Sequence, residues 1–233
     1  MATYDTSKIR NVVLVGHAGC GKTTLAEAML FEAKAISRRG SVDEGNTQSD
    51  YTSLEQERRH SLFASVLHVS WKDNKINILD TPGLDDFVGE VVTALKVADT
   101  AVVMLNARSG VEVGTELIWE YVDKFNTPSL FVINQLDHEK ADFDTTLEQA
   151  IARFGSRVLP VQFPVNQGTG FNAIVDALRM VMYEFPATGG KPEKKAIPAE
   201  HLDRANAMHA ALVEAAAEND DALMEKFFES GTL

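Results

Sequence analysis

Several things are scarce in this sequence, and each scarcity narrows the class of protein it encodes. Among 233 residues there is one cysteine, Cys20, so no disulfide can close within the chain and the core must stand on packing. No run approaches the roughly 18 apolar residues of a membrane-crossing helix, and no charged-then-apolar leader opens the chain. A cytoplasmic protein without a membrane partner is expected. Bases are outnumbered: 22 Lys and Arg face 34 Asp and Glu, a net charge of -12, which argues against nucleic-acid binding through bulk charge. Trp71 and Trp119 lack an accompanying basic stripe and read as packing groups. His138, His201 and His209 show no Cys/His ligand spacing. Repeats and low-complexity tracts are absent.

What is present is a large apolar fraction, 45%, enough for one large domain or a domain with an appendage. Short β-rich runs alternate with helical spacing. Strands are expected at 11–16, 76–80, 100–106, 129–134 and 157–163. Helices are expected through Ala26, Met29, Leu30 and Ala33, over "FVGEVVTALKVA", near 112–125 and near 143–154. Nearly continuous apolar strands separated by helices predict an α/β fold, with a mostly parallel sheet covered on both faces and a ligand site at the strands' carboxyl ends.

From Pro186 the texture changes. "PATGGKPEKKAIP" reads as a solvated linker, about 186–197, followed by helices over about 198–229. The first of these carries Leu202, Ala205, Met208, Leu212 and Ala216, the second Leu223, Met224, Phe227 and Phe228, with Met208, Met224 and Phe227 expected in a core.

Three motifs carry chemistry. "GHAGCGKT", Gly16 to Thr23, fits G-x-x-x-x-G-K-[ST] between a strand and a helix, the P-loop arrangement. Gly16 and Gly21 free the backbone to wrap phosphates, and His17, Ala18, Gly19 and Cys20 contribute mainly backbone. Lys22 reaches the β and γ phosphates and steadies transition-state charge. The Thr23 hydroxyl suits Mg²⁺, and Thr24 completes the nucleotide-binding run at the helix N-terminus. Next, "INILDTPG" ends a strand on Asp80, the position from which a P-loop protein holds Mg²⁺, and Gly83 can offer a backbone N–H to a terminal phosphate. Alone, DTPG is a common turn; behind a P-loop it reads as a phosphate sensor. Finally, "NQLD", Asn134 to Asp137, follows a strand, and the Asp137 carboxylate can accept both N–H groups on the guanine edge, donors that adenine lacks in that arrangement.

With these motifs in this order, the chain resembles the N-terminal GTPase region of elongation factor G, in particular a divergent paralogue class. The resemblance extends through "RRGSVDEGNTQSDYTSLEQERRHS" (38–61), similar to the first switch of that family, and "IPAEHLDRANAMHAALVEAAAENDDALMEKFFE" (197–229), similar to the helices of its inserted subdomain. It implies a translational GTPase G domain over 1–162, lacking its last strand, and part of the inserted subdomain over 163–233. The implied ligands are GTP or GDP with Mg²⁺. The implied partner is the ribosome, met by a monomeric longer protein of which this chain is an N-terminal piece. The piece by itself is expected to bind nucleotide weakly or not at all.

Departures from the family pattern qualify the activity. Where the family has DTPGH, with a histidine that orients the attacking water, this chain has Leu84, which cannot hydrogen-bond a water. Loss of such a group costs about 10²–10⁴-fold in rate, so hydrolysis is expected to be slow or lost, and the chain would read GTP more than cleave it. His60, in the switch, is the one candidate to substitute for the missing histidine. Ser61 stands for the metal-binding threonine and keeps the hydroxyl. Gln135 replaces the lysine of NKxD, and Gly19 the P-loop acid. Three readings follow: an active ribosome-directed GTPase, a GTP-dependent ribosome-binding switch with hydrolysis largely lost, or a P-loop ATPase or small-molecule kinase unrelated to translation.

Overall fold

In the computed structural model, residues 3–187, 190–218 and 220–230 are described. The chain divides into two compact units, Met1–Gln135 and Leu136–Leu233. The linker expected at 186–197 includes Thr188 and Gly189, and the helical region includes Asn219; these lie outside the described residues.

In the first unit, the apolar runs become β1 (Ile9–Val15), β3 (Asn74–Asp80), β4 (Thr100–Asn106) and β5 (Ser129–Asn134). A further strand, β2 (Ser65–Trp71), forms an edge, giving the order β2-β3-β1-β4-β5. β3, β1, β4 and β5 run parallel, and β2 is antiparallel to β3. The β2–β3 hairpin turns on Lys72 and Asp73, both left-handed (φ 46° and 63°), the conformation that matches a two-residue connection to the twist of its strands. Around this sheet lie α1 (Lys22–Glu32), α2 (Ser53–Arg58), α3 (Val88–Leu95) and α4 (Val113–Lys124).

β4 is buried at every position from Ala101 to Asn106, which explains its uninterrupted apolar sequence. Leu14, Ile78 and Met104 from the three central strands meet Ala26 and Leu30 of α1 and Val69 of β2 in one core. Register then decides where function lies. Leu14 pairs with Asp80, and Asn106 pairs with Asn134, so the carboxyl ends of β1, β3, β4 and β5 open on one edge of the sheet.

The second unit begins with α5 (Phe143–Phe154), capped by Asp142, whose carboxylate accepts from Thr145 N at 3.0 Å. It continues with a separate four-stranded antiparallel sheet in chain order, β6 (Gln162–Pro164), β7 (Ala173–Asp176), β8 (Val181–Glu184) and β9 (Glu193–Lys195). Two helices close the chain, α6 (Ala199–Ala217) and α7 (Asp221–Ser230).

This corrects the expected strand at 157–163. Only Gln162 and Phe163 of that run are extended into a strand, and they pair antiparallel with β7 rather than joining the parallel sheet. Within the stretch read as linker, Glu193–Lys195 pairs with β8 as β9, all three residues exposed. The expected core residues are corrected too: Met208, Met224 and Phe227 are half-buried, and Leu202 is 41% exposed. α6 instead buries Ala205, Val213 and Ala217, a narrow face of small residues at intervals of eight and four.

Candidate functional site

The P-loop is a backbone shell whose glycines are dictated by neighbours. Gly16 has φ 139°, and a Cβ there would press on the Met104 carbonyl of β4 at 2.5 Å. Gly21, the residue before α1, has φ 97° and would drive a Cβ into the Asn134 amide. Asn134 and Gln135 lace the loop to the end of β5: Asn134 Nδ2 donates to Cys20 O at 2.9 Å, and Gln135 Nε2 donates to Gly19 O at 2.8 Å. Two residues singled out for a base-reading motif therefore also brace the phosphate loop.

Lys22 is 6% exposed, and its ammonium donates to Gly16 O at 2.8 Å and His17 O at 3.0 Å. It lies folded over the space that the loop encloses. Cys20 is buried, with its thiol 3.7 Å from Lys22 Nζ; burial pushes the thiol pKa up although the ammonium opposes this. His17 turns away toward α4. Its backbone N–H donates to Thr115 Oγ1 at 3.2 Å, its Nε2 is 3.7 Å from Glu112 Oε1, and its Nδ1 has no partner among the described residues.

Beside Lys22, four side chains from three segments converge on Asp80. Thr23 Oγ1 lies 3.3 Å from Ser61 Oγ, Ser61 Oγ donates to Asp50 Oδ1 at 2.7 Å, and Ser49 Oγ donates to Asp80 Oδ2 at 2.6 Å. Asp80 is fully buried and its Oδ1 has no hydrogen-bond partner among the described residues. Burial drives its pKa up to about 6, against the opposing hydrogen bonds of Ser49 and Thr23 and the nearby Lys22 charge. Burial likewise raises Asp50. A hard divalent cation takes oxygen donors of this kind, and an unpartnered buried carboxylate oxygen among hydroxyls is the environment such an ion relieves. The residues present fit Mg²⁺.

Thr81 Oγ1 donates to Leu14 O at 2.7 Å, fastening the next corner to β1. Gly83 touches the P-loop so closely that a Cβ would come within 2.7 Å of Ala18 Cα. Leu84 follows, 36% exposed. His60 Nδ1 lies 2.9 Å from Arg58 O, two residues back in its own loop. Asp137 is exposed in the second unit, in the segment that leads to α5.

Three acids or hydroxyls here escape sequence reasoning, Ser49, Asp50 and Glu27, whereas Glu55 belongs to the Glu-Gln-Glu-Arg run at 55–58 of the first-switch stretch. Ser49 and Asp50 join the Asp80 cluster. Glu27 of α1 is buried and pins the first-switch segment, accepting from Gly40 N at 2.8 Å and Gln48 N at 2.5 Å. Glu55 closes a capping box with Thr52 and also accepts from Leu62 N at 3.0 Å and Phe63 N at 3.2 Å. The only available signal was the density of short polar residues in "NTQSDYTS", which has no periodicity to single out Asp50.

Residues 7–229 match the elongation factor Tu GTP binding domain family. A solved protein from Thermus thermophilus superposes with a TM-score of 0.88 at 35% identity, across 96% of this chain and 33% of that protein. This chain thus spans about a third of the length of that neighbour.

Proposed function

We propose, from the fact that the chain belongs to the elongation factor Tu GTP-binding domain family, that it is the GTP-reading module of an elongation factor G-like translation factor acting on the ribosome. The observation that carries the reading is the buried Asp80 corner: a carboxylate oxygen without a partner among the described residues, beside the Thr23 and Ser61 hydroxyls and next to a lysine held over the P-loop.

In this reading, Gly16 to Thr24 wrap the phosphates and Lys22 exchanges its carbonyl partners for phosphate oxygens. Thr23, Ser61 and Asp80 hold Mg²⁺, with Asp50 and Ser49 behind them. When bound, the ion neutralises charge on the β and γ oxygens. Gly83 offers its N–H to the γ phosphate, so the corner and the first-switch segment change position with the nucleotide. Asp137 reads the guanine edge, while Asn134 and Gln135 support that end of the site. Leu84 lacks any group to orient water, so hydrolysis is slow or lost and the module acts as a binding switch. His60 is the residue through which activity could persist. The module works as a monomer in the cytoplasm, and it meets the ribosome as part of a longer protein.

Competition for labelled GDP in the presence of Mg²⁺ tests the assignment. GDP and a non-hydrolysable GTP analogue should displace the label and ATP should not; equal displacement by ATP would favour an ATPase or kinase. Asp137→Asn should erode guanine preference by at least about tenfold, since the amide cannot accept both N–H groups of the guanine edge. Unchanged selectivity would remove Asp137 from the site.

A further inference from the structure

Adjoining the 82–85 corner on the side of α3 and α4, the first unit contains a cavity of about 120 Å³ whose lining includes Pro82 and Gly83. Its walls are apolar: Leu84, Val88, Val91, Leu117, Ile118 and the Tyr121 ring. Val91 and Ile118 are buried, at 1% and 4% exposure, so the floor is dry, while Leu117 at 41% stands at the mouth. The lining includes Gly114, whose side-chain position is already taken by neighbours: a Cβ there would meet His17 Nδ1 at 2.4 Å and Asp85 Oδ1 at 2.8 Å.

Size and charge together define an occupant. An apolar cavity of about 150 Å³ accepts benzene, so this one accommodates a single ring. Two carboxylates, Asp85 and Glu120, also line it, both on exposed residues, and no described lining residue is basic. An anionic ligand would meet like charge at that mouth. A ring carrying an ammonium group would place its apolar part on the floor and its cation between the two acids, with Tyr121 offering a π-face for the cation.

We propose that this cavity is a binding site for a small single-ring aromatic amine. The inference stands on the geometry of the cavity and does not require the nucleotide reading. A ligand of this size binds in roughly the millimolar range.

The probe is benzylamine, titrated into the full chain without nucleotide, with benzoate as the charge control, and read by methyl resonances of Leu84, Leu117 and Ile118. Saturable shifts at these methyls with benzylamine, and none with benzoate, are expected. Leu117→Trp should fill the mouth and abolish the shifts. Because that variant could disturb packing, Glu120→Lys, on an exposed position, provides the second arm: it should weaken benzylamine at least fivefold and admit benzoate. Shifts that do not saturate, that spread over methyls outside the cavity, or that persist unchanged in Glu120→Lys would overturn the site. Benzylamine binding by a chain on which ATP displaces labelled GDP as well as GTP does would leave this inference standing and overturn the proposed function.

Discussion

In the proposed function, Leu84 is the side chain that separates recognition from reaction. Its backbone neighbour Gly83 is packed against Ala18 of the P-loop, so the corner abuts the loop, yet the leucine carries no hydrogen-bonding group. Leu84→His should therefore raise single-turnover phosphate release by about 10²-fold or more, and an unchanged rate would mean that the corner does not face the reacting phosphate. Asp80 makes a second prediction. Burial holds its pKa up at about 6, whereas an unfolded aspartate titrates near 3.9. Between those values the folded chain keeps a proton that the unfolded chain has released, so this group lowers stability as pH rises and its penalty is complete above about 6. The penalty is about 3 kcal/mol at most. Without Mg²⁺, urea midpoints at pH 5 and pH 7.5 should show wild type gaining on Asp80→Asn at the lower pH; a constant difference between the two proteins would contradict the burial of the Asp80 carboxylate.

At the scale of elements, two buried glutamates explain how irregular chain is held in place without regular structure. The two Glu27 carboxylate oxygens each serve one end of the 40–48 segment, and Glu55 ties α2 to the run that leads into β2. Glu27→Gln leaves one acceptor for two donors, so a buried N–H goes unpaired at a cost of about 1–3 kcal/mol. Amide exchange at Gly40 or Gln48 should accelerate while β1 and β4 stay protected, and uniform acceleration would indicate global destabilisation instead. The Glu27 ties are illegible in sequence, because a glutamate that bonds backbone N–H groups 13 and 21 residues away has no local signature. The parallel strands were legible for the opposite reason: β4 is buried on both faces and so must be apolar throughout. β2 was missed because its outer face is wet, with Val66 71% and Trp71 48% exposed, and because its hairpin turns on Lys-Asp rather than a glycine pair. "RVLPVQF" misled by its apolar content, although its extended part is confined to the short antiparallel β6. The phosphate loop could be read at once, since its glycines are fixed by backbone approach to Met104 and Asn134, a constraint that leaves a mark on residue type.

The molecule as a whole is two units, each with its own sheet and its own polar ties. In the second unit, Asp176 is fully buried at the end of β7. Burial alone would raise its carboxyl, but bonds from the Arg179 backbone and guanidinium, at 2.9 Å each, and from Gln162 hold it below the usual range. A lowered acid stabilises above its unfolded pKa and loses that contribution as pH falls through the folded value. Asp176→Asn should thus be most damaging at neutral pH and converge on wild type as pH falls below the unfolded value and through the lowered folded one. Arg204 packs over the Phe163 ring at 4.5 Å and pairs with Asp144, so this unit binds its helices and sheet without any residue of the P-loop. If ligand energy enters through the phosphate loop, it must appear first in Met1–Gln135. Saturating Mg²⁺ and GDP at about 100 times Kd should slow exchange there by up to about 100-fold for amides that open only with global unfolding of that unit. The strongest effects should fall at 16–23 and 80–84, and the β7–β8 hairpin should change little. Equal protection of Ala173–Glu184 would show that the two sheets unfold as one cooperative body, and that the division at Gln135 is geometric rather than energetic.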